Sequence, residues 1–135
     1  MRVFFSDRSG AVIAASVATL NATALRLREF VESPQSMLVL PTAISGSPEP
    51  YEAFLPGVCL EKCEGPVLVA LDDEFGLRVT GSPHNLAIWC ASFSFPDNAG
   101  HGAHHHLGHV FPDTWLNPRS LPVIVEVSET ENHAP

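Results

Sequence analysis

The spacing of hydrophobic positions changes along the chain, and the first helical stretch begins near residue 16. Apolar side chains there recur at steps of three and four, which is typical of an amphipathic helix. These positions are Val17, Leu20, Ala24, Leu27 and Val31. Ser16 can cap the first turn, and Ser33-Pro34 is incompatible with its continuation. The pattern therefore predicts a helix from about residue 16 to residue 33.

A second helix is predicted after Ser82-Pro83, because serine caps helices and proline suits the first helical position. Four apolar side chains follow at i, i+3, i+4 and i+7, a spacing that places them on one buried stripe. They are Leu86, Trp89, Cys90 and Phe93. We expect this helix to end near Phe95-Pro96.

The remaining apolar runs are short, bounded by turn residues, and predict β-strands. They are Met1–Phe5, Ala11–Ala14, Met37–Leu40, Phe54–Leu60, Val67–Leu71, Leu77–Thr80 and Leu121–Val127. The Asp7–Gly10 and Asp72–Gly76 stretches predict hairpin turns, each ending in glycine. The Pro-, Ser- and Gly-rich stretch 41–50 predicts a loop.

This order of elements predicts an α+β fold, a mostly antiparallel twisted sheet with two helices packed on one face. We expect a single globular domain over residues 1–127 and a frayed acidic tail over 128–135. Each half contains a helix preceded by strands, which hints at an internal duplication. The two helices, however, share no residue pattern that can be aligned.

Composition narrows the possible partners and the compartment. The chain has 135 residues, 45% hydrophobic, with a formal net charge of −8. An acidic protein is a poor ligand for phosphate backbones, so nucleic acid is not expected as a partner. There is no run of apolar residues long enough for a membrane span and no signal-peptide pattern at the start. Three cysteines without framework spacing fit a reducing compartment. We expect a cytoplasmic protein.

Five of the seven histidines lie within residues 101–109. If this segment is a strand, His104 and His106 share one face, while His105 and His109 share the other. A His-x-His pair suits a metal, but zinc needs a third and usually a fourth ligand. The nearest acids, Asp97 and Asp113, are not at the spacing of a known motif. The alternatives are an edge strand whose imidazoles pack or meet a partner, a metal pair, and a catalytic histidine.

Candidate chemistry elsewhere is sparse. Asp72, Asp73 and Glu74 form an acidic turn that could serve as an acid/base or cation cluster, although an acidic hairpin tip is usually only solvated. The chain contains no G-x-S-x-G, H-E-x-x-H or P-loop motif. We therefore expect no enzymatic activity and no cofactor.

The order of motifs in the second half resembles immunity protein family 32 of bacterial polymorphic toxin systems. The motifs are Leu77–Ser82 leading into a short helix, the His-x-His strand, an aromatic-proline turn and Ser120–Val125. The resemblance covers roughly residues 75–127. Family members carry an acid and an aromatic after the His-x-His segment, where this chain has Gly108 and His109. The resemblance implies a small cytoplasmic protein that binds and blocks a cognate toxin without catalysis.

The partner implied by this resemblance is a toxin, and the acidic charge suits one with a basic surface. The candidate contact residues are Asp72, Asp73, Glu74, His104, His105, His106 and His109. Contact through the histidines would make dissociation sensitive to pH, because imidazoles as a class titrate near neutrality. Two alternatives stay open. One is a metal-dependent hydrolase using the His104/His106 pair, and the other is an assembly module that pairs through a sheet edge.

Overall fold

The computed structural model describes residues 1–108 and 114–128. Within these ranges the chain forms two α-helices and nine β-strands. The helices are α1 (Val17–Glu32) and α2 (Pro83–Cys90). The strands are β1 (Arg2–Ser6), β2 (Gly10–Ala15), β3 (Met37–Pro41), β4 (Ala53–Leu55), β5 (Gly57–Lys62), β6 (Leu68–Asp72), β7 (Gly76–Gly81), β8 (His104–Leu107) and β9 (Val123–Val127).

The strands form two mixed, mostly antiparallel sheets, which confirms the α+β class. The five-stranded sheet has the order β4-β1-β2-β9-β8, and the four-stranded sheet has the order β3-β5-β7-β6. The β2–β9 and β5–β7 pairs are parallel. The strands form two sheets where the sequence predicted one, and the predicted strand 54–60 is divided between them at Pro56. Proline cannot donate a ladder hydrogen bond, which interrupts the strand at Pro56. On either side of it, β4 pairs with β1, and β5 pairs with β3 and β7.

Both helices begin as the sequence predicts. The Ser16 hydroxyl accepts the Thr19 N–H at 3.2 Å, and the Ser82 hydroxyl accepts the Asn85 N–H at 3.3 Å. The second helix is shorter than predicted, since α2 ends at Cys90 and a 3₁₀ turn, Ala91–Phe93, completes it. Within the described part of the chain, neither helix has the length and apolarity needed to cross a membrane.

One contiguous apolar core joins both sheets and both helices. Trp89 and Phe93, from the predicted stripe of the second helix, are fully buried, with their ring centroids 5.4 Å apart. From α1, Leu20 and Leu27 are also fully buried. Burial of apolar surface is the main favourable contribution to folding, so these stripes bring the helices onto the sheets.

The structure contains an internal duplication that begins with its two hairpins. Both β1–β2 and β6–β7 consist of a five-residue strand, a short turn, and a six-residue strand that begins with a glycine of positive φ, Gly10 or Gly76. The serine cap of a helix follows in both halves. The strand register agrees, since Val3 faces Ile13 as Val69 faces Val79.

Two strands after each helix are exchanged between the halves, whereas β4 stays with β1 of its own half. Following α1, β3 and β5 join the sheet of the second hairpin, whereas β8 and β9 follow α2 and join the sheet of the first. Within this duplication, β3 corresponds to β8. Met37, the first residue of β3, faces Glu61 on β5, and His104, the first residue of β8, faces Glu126 on β9. Both corresponding strands lie at the edge of their sheets.

The edge of β6 is partly covered. Val67 N–H donates to Trp115 O at 2.7 Å, and Leu121 N–H donates to Val69 O at 2.8 Å. The buried Ser120 hydroxyl accepts the Val69 N–H and donates to Val67 O. Residues 115–121 therefore cover part of this edge, while among the described residues β3 and β8 pair on one side only.

Candidate functional site

The five-stranded sheet has one face on the core and a second face that presents a mixed aromatic, aliphatic and histidine surface. Ala11, Ile13, Val123 and Val125 belong to the core, so their neighbours along β2 and β9 point away from it, because side chains alternate along a strand. We call this second surface the open face. Its half-buried and exposed members are Arg2, Phe4, Tyr51, Phe54, His104, His106, Ile124 and Glu126, and the buried Val12 and Ala14 lie beneath them on β2.

Aromatic rings form one side of the open face. The centroid of Phe4 lies 4.9 Å from that of Tyr51 and 5.1 Å from that of Phe54. The Arg2 guanidinium lies 6.0 Å from the Phe54 centroid, within reach of a cation–π contact. Phe4, Tyr51 and Phe54 are half-buried. Solvent therefore reaches part of an aromatic cluster that is separate from the main core.

Tyr51 extends from the loop before β4 across this sheet. Its N–H donates to Pro48 O at 2.9 Å. Burial raises the pKa of the Tyr51 phenol, and the negative charge of Glu126 on β9 raises it further. The phenol therefore remains protonated at neutral pH and keeps its ability to donate a hydrogen bond.

The histidines form the other side of the open face. His104 and His106 are exposed and share this face, as the sequence predicts, with their ring centroids 4.8 Å apart in an edge-on arrangement. His104 Nδ1 lies 2.9 Å from Gly102 O. A carbonyl only accepts, so this bond requires a proton on Nδ1. His109 lies outside the described residues.

His105 has a different role from its neighbours. Its ring stacks on Phe95 with centroids 4.3 Å apart and an interplanar angle of 11°. Its Nδ1 lies 2.7 Å from Ser92 O, in the 3₁₀ turn after α2. These contacts fasten β8 to the helical layer, so His105 belongs to the scaffold that positions His104 and His106.

The proposed metal pair has no completed ligand set within residues 1–108 and 114–128. No group of three or more His, Cys, Asp or Glu side chains in these ranges is arranged to hold a metal ion. Asp97 Oδ1 instead accepts from the Asn21 amide at 3.3 Å. Asp113 lies outside the described residues.

The acidic turn lies between β6 and β7 in the four-stranded sheet, and its three acids differ. Asp72 Oδ1 accepts the N–H groups of Glu74 at 2.8 Å and Phe75 at 2.9 Å. These two bonds, with a further contribution from Arg78, lower the pKa of Asp72. Asp72 therefore holds the turn together, whereas Asp73 and Glu74 are exposed. The structure places this turn and the histidine pair on different sheets.

Arg78 organises the outer surface of the four-stranded sheet. Its guanidinium lies 2.7 Å from Glu61 Oε1 and 3.4 Å from Asp72 Oδ2. Cys59, which faces Arg78 across β5 and β7, is fully buried, and burial raises the pKa of its thiol. The three charges therefore pair with one another, and the thiol stays protonated.

A groove of about 400 Å³ lies between the two helices. It is lined by Ala24, Arg28, Val31, Glu32, Pro83, His84, Ala87, Cys90, Ala91 and Ser94. Burial raises the pKa of Cys90 to about 12, so this residue is a neutral thiol in the groove wall rather than a nucleophile.

Sequence reasoning identified the histidines of the open face but missed its aromatic half. Phe4, Tyr51 and Phe54 come from two distant segments, and only the β1–β4 pairing brings Phe54 opposite Phe4. The run 51–55 contains both aromatic residues, but the sequence alone does not show which strand it joins. Comparison with protein-family models, curated proteins and solved structures gave no match to this chain.

Proposed function

We propose that this chain is an immunity-type protein that neutralises a toxin of a bacterial polymorphic toxin system by covering part of the toxin surface. The observation that carries the proposal is the open face. The proposal is also supported by the resemblance of residues 75–127 to immunity protein family 32. It requires no catalysis by this chain.

The composition of the open face suits protein recognition. Aromatic residues and arginine are enriched where protein interfaces contribute most binding energy. Here Phe4, Tyr51 and Phe54 form a half-buried cluster with Arg2 above it. A partner that covers this cluster gains apolar contact, while the Tyr51 hydroxyl and the Glu126 carboxylate are available for hydrogen bonds.

The histidine pair extends this surface to the edge of the sheet. His104 and His106 are exposed, and neutral imidazoles can both donate and accept hydrogen bonds. Because the face is built on hydrogen-bonded strands, its side chains are held in position before binding, which lowers the entropic cost of association.

Charge supports a basic partner. The net charge of −8 would speed encounter with a positively charged toxin at low salt. The exposed acids Asp73 and Glu74 lie on the other sheet, away from the open face, and suit long-range attraction more than contact. Their effect should appear mainly in the association rate.

The direct test is co-expression with the proposed toxin, which we expect a neighbouring gene to encode. Wild-type protein should restore growth and bind the purified toxin. The His104→Ala/His106→Ala double variant should dissociate at least about tenfold faster, a change of about 1.4 kcal/mol in binding free energy. Leu71→Ala, at an exposed apolar position on the four-stranded sheet, is the matched control and should protect like wild type.

The acidic turn needs a separate test. Asp73→Asn/Glu74→Gln should slow association and reduce its dependence on salt, leaving dissociation unchanged. Asp72 must remain, because its replacement would disturb the turn. Absence of both protection and binding by the wild-type protein would refute the proposed function, and unchanged binding by the double histidine variant would exclude His104 and His106 from the contact.

The metal-dependent alternative predicts a different result for the metal content of the purified protein. A hydrolase using His104 and His106 would retain a transition metal after dialysis and lose it in the double histidine variant. We expect elemental analysis of the purified protein to find no stoichiometric zinc. One tightly bound metal ion per chain would favour the hydrolase over the binding protein.

A further inference from the structure

Strand β3 forms an uncharged, exposed edge of the four-stranded sheet. Its five residues are Met-Leu-Val-Leu-Pro, with Leu38 and Leu40 buried in the core. The outward-facing Met37 and Val39 are 39% and 37% exposed. Apolar edge strands that lack a charged side chain are sites where another strand can add. The open face lies on the other sheet, so a partner bound there would leave the β3 edge exposed.

The hydrogen bonds next to β3 show which of its backbone groups are free. Lys62 N–H donates to Ser36 O at 2.9 Å, and Thr42 N–H donates to Pro56 O at 3.2 Å. Bonded residues alternate along an antiparallel pair. Between these two bonds, Leu38 and Leu40 therefore bond to β5. Met37, Val39 and Pro41 direct their backbone groups to the open edge.

The free groups of this edge are unequal. Val39 offers an N–H and a C=O, and Met37 offers an N–H. Pro41 offers only a C=O, because proline has no N–H. The Met37 C=O is already occupied, since the Gln35 side-chain amide donates to it at 2.7 Å. The edge thus presents two donors and two acceptors.

This arrangement is complementary to itself. We infer that two copies of this chain pair through β3, antiparallel about a two-fold axis at Val39. Val39 then exchanges two hydrogen bonds with its counterpart, and each Met37 N–H donates to Pro41 O of the other copy. All four free donors meet acceptors. Pro41 has no N–H to donate to the Met37 C=O of the other copy, and the Gln35 side chain already satisfies that carbonyl.

Other registers are worse. A shift of the pairing by two residues in either direction halves the number of hydrogen bonds. In one direction the Val39 C=O faces Pro41, which has no N–H. In the other direction the Val39 N–H faces the Met37 C=O, which Gln35 already occupies. In the inferred register the outward side chains also match, because Val39 lies against Val39 and Met37 against Pro41. Cross-strand apolar pairs of this kind stabilise antiparallel sheets.

Among the described edges, β3 is the best suited to self-pairing. Residues 115–121 cover part of β6, and β4 has only three residues. The corresponding edge of β8 carries histidines instead of apolar side chains. The inferred dimer joins two four-stranded sheets into one of eight strands and does not involve the open face. The experiments that test the dimer therefore do not depend on the toxin.

Sedimentation of the full chain over a range of concentrations tests this inference. Wild-type protein should show a monomer–dimer equilibrium that depends on concentration. Val39→Lys should weaken it by about tenfold or more, because two ammonium groups would face each other across the axis. Leu71→Lys, which adds the same charge at an exposed apolar position on β6, should leave the dimer intact. Circular dichroism would verify that both variants are folded.

A charge-swap experiment tests the register. Val39→Lys and Val39→Glu should each be weakened alone, and an equal mixture should regain the dimer because residue 39 of one copy faces residue 39 of the other. Wild-type protein that stays monomeric at millimolar concentration would overturn the inference. So would a dimer that survives Val39→Lys, or a mixture that fails to recover.

Discussion

Trp89 provides a sharp test of how the core is built. Its side chain is fully buried and packs against Phe93, with ring centroids 5.4 Å apart. Replacing a buried Trp by Ala removes its transfer free energy and leaves a cavity, which together cost about 3–5 kcal/mol. A domain of this size has a total stability of about 5–15 kcal/mol. Trp89→Ala should therefore remove a large share of it.

The indole nitrogen allows a second, more specific comparison. Trp89 Nε1 is buried without a hydrogen-bond partner among the described residues. An unsatisfied buried donor costs about 1–3 kcal/mol. Trp89→Phe removes this donor and keeps an aromatic ring beside Phe93. The gain offsets the smaller ring volume, so we expect Trp89→Phe to change stability by less than about 1.5 kcal/mol.

Urea unfolding followed by circular dichroism would measure both variants, with fluorescence of Trp115, the other tryptophan, as a second probe. Leu25→Ala, at a 53% exposed position on α1, should change the midpoint little and serves as the control. A midpoint that hardly moves in Trp89→Ala would refute the placement of the second helix. A loss in Trp89→Phe as large as that in Trp89→Ala would contradict the expectation that removing the Nε1 donor offsets the smaller ring.

Three further predictions follow from the turns and thiols. Gly10→Ala should destabilise the fold more than Gly46→Ala in the same urea assay, because both glycines have positive φ but only a Cβ at Gly10 would collide with the Pro122 backbone. Asp72→Asn should destabilise the protein at neutral pH, and its difference from wild type should shrink in acid. The folded-state pKa of Asp72 is lowered, so its contribution is present above the unfolded pKa of about 3.9 and is lost as pH falls through the folded pKa. A thiol reagent should modify Cys63, which is exposed, rapidly and Cys90, which is buried, only on unfolding.

The sequence by itself predicted the local elements well. Helix starts at Ser16 and Ser82 were confirmed because capping depends on residues within one turn. The alternation of His104, His105 and His106 was also confirmed, since side-chain direction in a strand follows from its period of two. The buried stripe that contains Trp89 was also confirmed, because the spacing of residues along a helix by itself determines which of them share a face.

What the sequence did not predict depends on contacts between distant segments. The hint of a duplication was correct, but the exchange of strands between its halves was not foreseen, because pairing partners are chosen by the packing of the whole core. That exchange makes β3 and β8 corresponding edges. It separates the acidic turn from the histidines, whereas the pairing of β4 with β1 within the first half brings Phe54 beside Phe4. Strand pairing is long-range and is selected by the total burial it allows, so only the tertiary structure decided which side chains share a surface.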